Sequence, residues 1–240
     1  MNTRFIPIAT AAFLAATALP LTAQTIDTFN GSYTSQTVVY SAGPPAQGLL
    51  EKTVADAVPG GTRRLQLVPD TAASGTTSAA LNGSGDLWAF ASGGQRLAFN
   101  FAYGTQAQMN LDLSGAGALR LDVYYSSPMK LVIYASTQTT PGGNPNASAL
   151  SIDLPDLFSQ SVDIPLWAFS TNSATGLPVN WADVDGLSIF VTASGPLPPS
   201  GDGFWIRELS AVPVPEPASA LLLAAGLAAV GAAARRRSAR

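Results

Sequence analysis

The chain has 240 residues, 11% of them charged, with no cysteine and no histidine. Those two absences exclude disulfides, thiolate nucleophiles, Ser-His-Asp or Cys-His catalysis and His-ligated metals. Between the terminal segments 7 Lys/Arg stand against 14 Asp/Glu, a net −7, which argues against a phosphate-neutralising nucleic-acid surface and against a basic stripe for anionic lipid.

The first residues, MNTRFIPIATAAFLAATALPLTAQ, place Arg4 before an apolar run from Phe5 to Leu19 that is interrupted by Pro7. A small-residue site follows, so residues 1–23 read as a signal peptide cut after Ala23, or nearer Ala18. The breaker Pro20 ends the apolar segment too early for a spanning helix.

From Gln24 to Ala211 the apolar pattern has period two, the signature of half-buried strands. RRLQLV supplies an early strand. RLAFNFAY sets Leu97, Phe99, Phe101 and Tyr103 on one face, opposite Ala98, Asn100 and Ala102. MNLDLS continues with Met109, Leu111 and Leu113. ALRLDVYY sets Leu119, Leu121, Val123 and Tyr125 against Arg120, Asp122 and Tyr124. MKLVIYAS, SVDIPLWAF, VDGLSIFVTA and GFWIRELSAV read as further strands, with Gly/Ser/Asn/Pro clusters between them. About nine short strands with polar turns predict an all-β fold, an antiparallel β-sandwich of jelly-roll type over residues 24–211.

The chain closes on VPVPEPASALLLAAGLAAVGAAARRRSAR. Residues 212–217 form a Pro-rich linker in which Pro215-Glu216-Pro217 is held extended by its prolines. Residues 218–234 are an uncharged run that as a helix spans about 26 Å, just short of a bilayer core of about 30 Å. Only Leu221, Leu222, Leu223, Leu227 and Val230 drive insertion, so the expected transmembrane helix is marginal and suits a temporary hold. Arg235, Arg236 and Arg237 open the tail 235–240. They act as membrane-stop charges that stay cytoplasmic and leave the sandwich outside.

This order of triplet, short Ala/Leu span and Arg cluster resembles the PEP-CTERM sorting signal of Gram-negative bacteria. The resemblance implies recognition of Pro215, Glu216 and Pro217 by the membrane transpeptidase exosortase, removal of the anchor, and a place at the cell surface or in an extracellular matrix. Such proteins accompany exopolysaccharide and biofilm loci. The early IDTFNG, the later WADVDGLSIFV and the closing FWIRELSAV resemble galactose-binding-like jelly rolls, which implies first and last strands lying close together. That resemblance also implies that Asp27 and Glu208, on those strands, help to hold a structural Ca²⁺; solvated edge carboxylates are the plainer reading.

Four further features bear on chemistry. Asp183 and Asp185 in WADVDG have the two-residue spacing of oxygen ligands for Ca²⁺, and equally that of an Asp-Gly turn feeding a strand at Leu187. Trp88, Trp167, Trp181 and Trp205, with Tyr124, Tyr125 and Tyr134, are either sugar-stacking platforms or sheet packing. Tyr124 is the better platform because its alternation sets it opposite the Leu/Val face. Arg63 and Arg64 are either contacts for an acidic polysaccharide or solvated and ion-paired side chains.

Glycoside hydrolysis needs two carboxylates, and the only Glu residues in the domain, Glu51 and Glu208, lie in no cleft motif. No Gly-rich phosphate loop is present. The sequence therefore predicts a non-catalytic, exported structural or interaction module in polysaccharide, with a dedicated carbohydrate-binding module as the alternative and a polysaccharide-active enzyme behind it. No cofactor is expected beyond a structural Ca²⁺.

Overall fold

The computed structural model describes residues 23–29, 36–41, 47–49, 51–70, 73–81, 85–138, 143–155, 158–196 and 198–213. The expected signal segment 1–22, the Pro-Glu-Pro triplet, the span 218–234 and the terminal arginines lie outside them. Among the described residues no helix is long and apolar enough to cross a membrane.

The described chain forms strands β1 (Gln24–Asp27), β2 (Gln36–Ser41), β3 (Gln47–Leu49), β4 (Glu51–Ala55), β5 (Thr62–Leu67), β6 (Thr76–Leu81), β7 (Leu87–Ser92) and β8 (Ala98–Tyr103). It continues with β9 (Ala116–Tyr125), β10 (Met129–Thr137), β11 (Asn146–Leu154) and β12 (Phe158–Pro165). A 3₁₀ turn (Leu166–Ala168) leads to β13 (Ser170–Thr171), β14 (Gly186–Ala193) and β15 (Asp202–Pro213).

Two antiparallel sheets face each other, as period-two patterning with polar turns predicts. The first runs β12-β9-β15-β7-β6-β2-β3, with β1 added beside β15; the second runs β13-β11-β10-β14-β8-β5-β4. The first and last strands are indeed neighbours: Gln24 stands opposite Ala211 and Asp27 opposite Leu209. Alternation decides what the sheets enclose. Leu119, Leu121, Val123 and Tyr125 point inward from β9, and Phe99, Phe101 and Tyr103 from β8, all at most 2% exposed. Burial of each large apolar side chain stabilises by about 1.5–3 kcal/mol. Phe99 bridges the layers by packing on Phe204 at 5.8 Å between ring centroids.

Three expectations are refined. The MNLDLS segment buries Met109, Leu111 and Leu113 as its pattern predicts, yet it is a loop joined to Val184 by one isolated bridge at Leu111. Asn110 has φ of +47°, a left-handed conformation that interrupts a strand. Strands β2, β3, β4, β6, β7 and β11 have weaker alternation or begin inside turn-rich sequence such as NPNAS, which hid them. The last strand continues through Pro213, paired with Ala116, so the sheet takes in the first two residues of the segment expected to be linker.

Gly104 starts the loop after β8 with φ of +74°, and a Cβ there would overlap the Asp185 backbone oxygen. That close approach brings WADVDG against the β8–β9 loop: Met109 N–H donates to Asp185 O at 3.0 Å and Leu113 N–H to Trp181 O at 2.6 Å.

Candidate functional site

The outer face of the first sheet carries aromatic and charged side chains on adjacent strands. On β9 the outward residues are Arg120, Asp122 and Tyr124. On β15 Trp205 stands directly opposite Tyr124, and on β7 Trp88 stands directly opposite Trp205. Three aromatic side chains thus form one row across three adjacent strands. Tyr124 is 46% exposed, while Trp88 and Trp205 are half-buried. The Tyr124 and Trp205 rings meet edge to face at 5.1 Å, within the range where such pairs attract.

Gly203 makes room for Trp205. A Cβ at Gly203 would lie 2.7 Å from the far edge of the indole, so the ring lies along the sheet over the glycine. Ser126 holds this glycine in place: Gly203 N–H donates to Ser126 Oγ at 2.7 Å, and Ser126 N–H donates to Gly203 O at 2.9 Å.

A β-bulge shifts the register between Ile206 and Glu208. Ile206 and Leu209 stay buried while Arg207 and Glu208 are both accessible, which is how a bulge re-aims side chains. The result is a depression of about 360 Å³ lined by Asp86, Asp122, Tyr124, Trp205 and Arg207. A second one of about 200 Å³ adjoins it, shares Asp122, and runs on past Arg120, Glu208 and Ser210.

The charges here are sparsely paired. Arg207 lies 3.6 Å from Asp86. Arg120 grips Asp163 with two hydrogen bonds, at 2.6 and 2.8 Å. Its hydrogen bonds hold the Asp163 carboxyl below the usual carboxylate range, and the same contact raises the Arg120 guanidinium. Glu208 and Asp122 stand directly opposite each other.

The acidic residues singled out for calcium do not converge. Asp27 is buried between the sheets. Its Oδ1 accepts from Arg63 NH2 and from Phe29 N–H, and its Oδ2 from Arg63 Nε and the Tyr103 hydroxyl, each at 2.7 Å. Four donors fill both oxygens. Glu208 lies on the opposite, outer face, so position on first and last strands does not bring the two together. Asp183 is exposed and Asp185 buried; Asp185 Oδ2 accepts from Gln138 N–H at 2.6 Å. Among the described residues no three or more Asp or Glu side chains gather as a metal site would require.

Arg63 is likewise not a polysaccharide contact. It is 1% exposed and reaches Asp56 at 2.9 Å as well as Asp27. Burial opposes its charge, and Tyr103, Asp27 and Asp56 outweigh that, holding its pKa above the ordinary guanidinium value. Of the other aromatics, Tyr125 stacks inside on Phe204 and Trp181 packs edge-on against Phe169 at 5.1 Å. Trp167, on the 3₁₀ turn, is 85% exposed. The sequence favours Tyr124 alone; alternation in GFWIREL, which opposes Trp205 to Phe204 and Ile206, is the signal for its partner.

No curated protein matches the chain. Among solved structures the chain is similar to a family 11 carbohydrate-binding module from Clostridium thermocellum in complex with a β-1,3-1,4-mixed-linked tetrasaccharide, at 14% identity and TM-score 0.43, covering 80% of this chain and 95% of that one. It is similar also to a family 30 carbohydrate-binding module, at 14% identity and TM-score 0.37, covering 82% and 90%. A third is a putative glycoside hydrolase from Bacteroides thetaiotaomicron, at 8% identity and TM-score 0.28, covering 70% and 57%. Residues 213–237 match the PEP-CTERM protein-sorting motif, and the chain is therefore an exported β-sandwich protein bearing an exosortase sorting signal.

Proposed function

We propose that the sandwich is a non-catalytic carbohydrate-binding module, exported and processed by exosortase to act in extracellular polysaccharide or biofilm at the surface of a Gram-negative cell. The observation that carries this reading is the Tyr124–Trp205 pair on a solvent-facing sheet, beside a depression rimmed by Asp86, Asp122 and Arg207. Sugar rings present apolar C–H faces and hydroxyl edges. An edge-to-face aromatic pair with adjacent carboxylates and a guanidinium offers a partner for each.

The test is binding of the full chain to a glycan array and to the producing cell's own polysaccharide, with Ca²⁺ and with chelator. Saturable, selective binding that Tyr124→Ala and Trp205→Ala each weaken supports the module. Release of reducing sugar, abolished by Asp122→Asn or Glu208→Gln, would make it an enzyme. Non-saturable contact untouched by the aromatic changes would leave a structural matrix protein. Loss of binding in chelator would restore a calcium role.

A further inference from the structure

Both ends of the described chain leave the sandwich at one pole. Gln24 is level with Ala211, and Val212 and Pro213 are level with Ala118 and Ala116 at the start of β9. The β12 strand ends at the same level, with Pro165 opposite Ala118. Two residues later, on the turn that crosses to the second sheet, stands Trp167, at 85% the most exposed of the large apolar side chains among the described residues. Leu177, 55% exposed, belongs to the loop whose Trp181 O accepts from Leu113 N–H, just before β9. The stretches 104–115 and 166–185 contain Asp112, Asp183 and Asp185 and no Lys or Arg.

The geometry points to this pole, and Trp167 in particular, as a contact for the lipid headgroup region while the protein is anchored by its tail. The inference rests on the sorting-signal reading and on the expected span at 218–234. The sorting motif begins at Pro213, the last residue held in the sheet. From Pro213 to Ala218 the backbone reaches at most about 18 Å, so the tether cannot carry the pole far from the bilayer edge. The interfacial zone is itself about 5–8 Å deep on each side, and indole rings partition there because one part of the ring is apolar and its N–H remains wet. No Lys or Arg lies in the two loop stretches 104–115 and 166–185 around Trp167, which assigns the contact to the ring and not to attraction by anionic headgroups. Tyr124 lies six residues along β9 from Ala118, about 20 Å away, so the same docking holds the aromatic row clear of the membrane.

The experiment uses the full chain reconstituted through its tail into phosphatidylcholine vesicles, with and without lipids brominated near the headgroup, reading tryptophan fluorescence. The chain co-floats with the vesicles, the brominated lipid quenches part of the emission, and Trp167→Phe removes most of that quenching while Trp88→Phe leaves it intact. Co-flotation with no quenching, or quenching unchanged in Trp167→Phe, overturns the inference and leaves the anchor standing. Failure to co-float overturns the anchor itself. Loss of glycan binding in Trp167→Phe without any lipid quenching would reassign the ring to polysaccharide.

Discussion

Arg63 and Asp27 tie the two sheets together: the guanidinium on β5 donates to both carboxylate oxygens on β1 at 2.7 Å, with the pair almost wholly buried. The strand that carries Asp27 pairs only in the first sheet, so this contact fastens the chain's first described strand to the opposite layer. Phe29, 5.2 Å beneath the guanidinium, extends the cluster.

Removing one partner strands a buried charge, which costs about 3–5 kcal/mol. Asp27→Asn is expected to lower unfolding free energy by about that amount in urea titration. Arg63→Met combined with Asp27→Leu is expected to recover only part of the loss, because it removes both charges of this pair but also takes the guanidinium from Asp56 and the acceptor from the Tyr103 hydroxyl. A double variant as unstable as Asp27→Asn would contradict this account.

Tyr103 contributes to the alkaline side of the stability profile. Burial, and then the negative charge of Asp27, hold its hydroxyl well above the ordinary 10.0. The folded chain thus resists an ionisation that the unfolded chain permits. This contribution is complete below about pH 10 and is lost as pH rises toward the folded value, by at most about 1.4 kcal/mol per pH unit. Urea midpoints measured between about pH 8 and 11 should fall more steeply for the native chain than for Tyr103→Phe; equal slopes would refute the assignment.

At the aromatic row, Tyr124→Ala and Trp205→Ala are each expected to weaken glycan affinity about tenfold, equivalent to about 1.4 kcal/mol, with thermal unfolding little changed. Gly203→Ala displaces the Trp205 ring through the 2.7 Å approach of its new Cβ. It should weaken binding in the same direction although it removes no aromatic group. Unaltered affinity in Gly203→Ala would show that the ring's present position is not needed.

The Arg120–Asp163 bridge is a contrast. Both side chains are about half exposed, at 44% and 51%, so solvent and salt screen the pair and its worth is at most about 1 kcal/mol. Because the Asp163 carboxyl is lowered, that small contribution is present above its unfolded value of 3.8 and lost as pH falls through the folded value. Arg120→Ala should shift the urea midpoint only slightly, and less in 1 M salt (about 3 Å screening length). A large shift would mean that the pair does more than its exposure allows.

What the sequence determined by itself is periodic or contiguous. Alternation through RLAFNFAY and ALRLDVYY assigned inward and outward faces because successive strand residues point to opposite sides. The same rule put Tyr124 outside. The PEP triplet, apolar run and arginines are neighbours along the chain, so the sorting signal was legible without a fold. Tertiary structure alone decided the rest, because it depends on which strands lie side by side. Trp88, Trp205 and Tyr124 are far apart in sequence, and strand order β7-β15-β9 makes them one row. Asp27 read as a calcium ligand or an edge carboxylate and Arg63 as a polysaccharide contact or a solvated or ion-paired side chain; the ion pair is what forms, but nothing local announces that Asp27 on β1 faces Arg63 on β5 across the two layers. Burial turned both into an inter-sheet tie, and a one-residue bulge at Arg207 turned Glu208 outward, away from the site its position on the last strand had suggested.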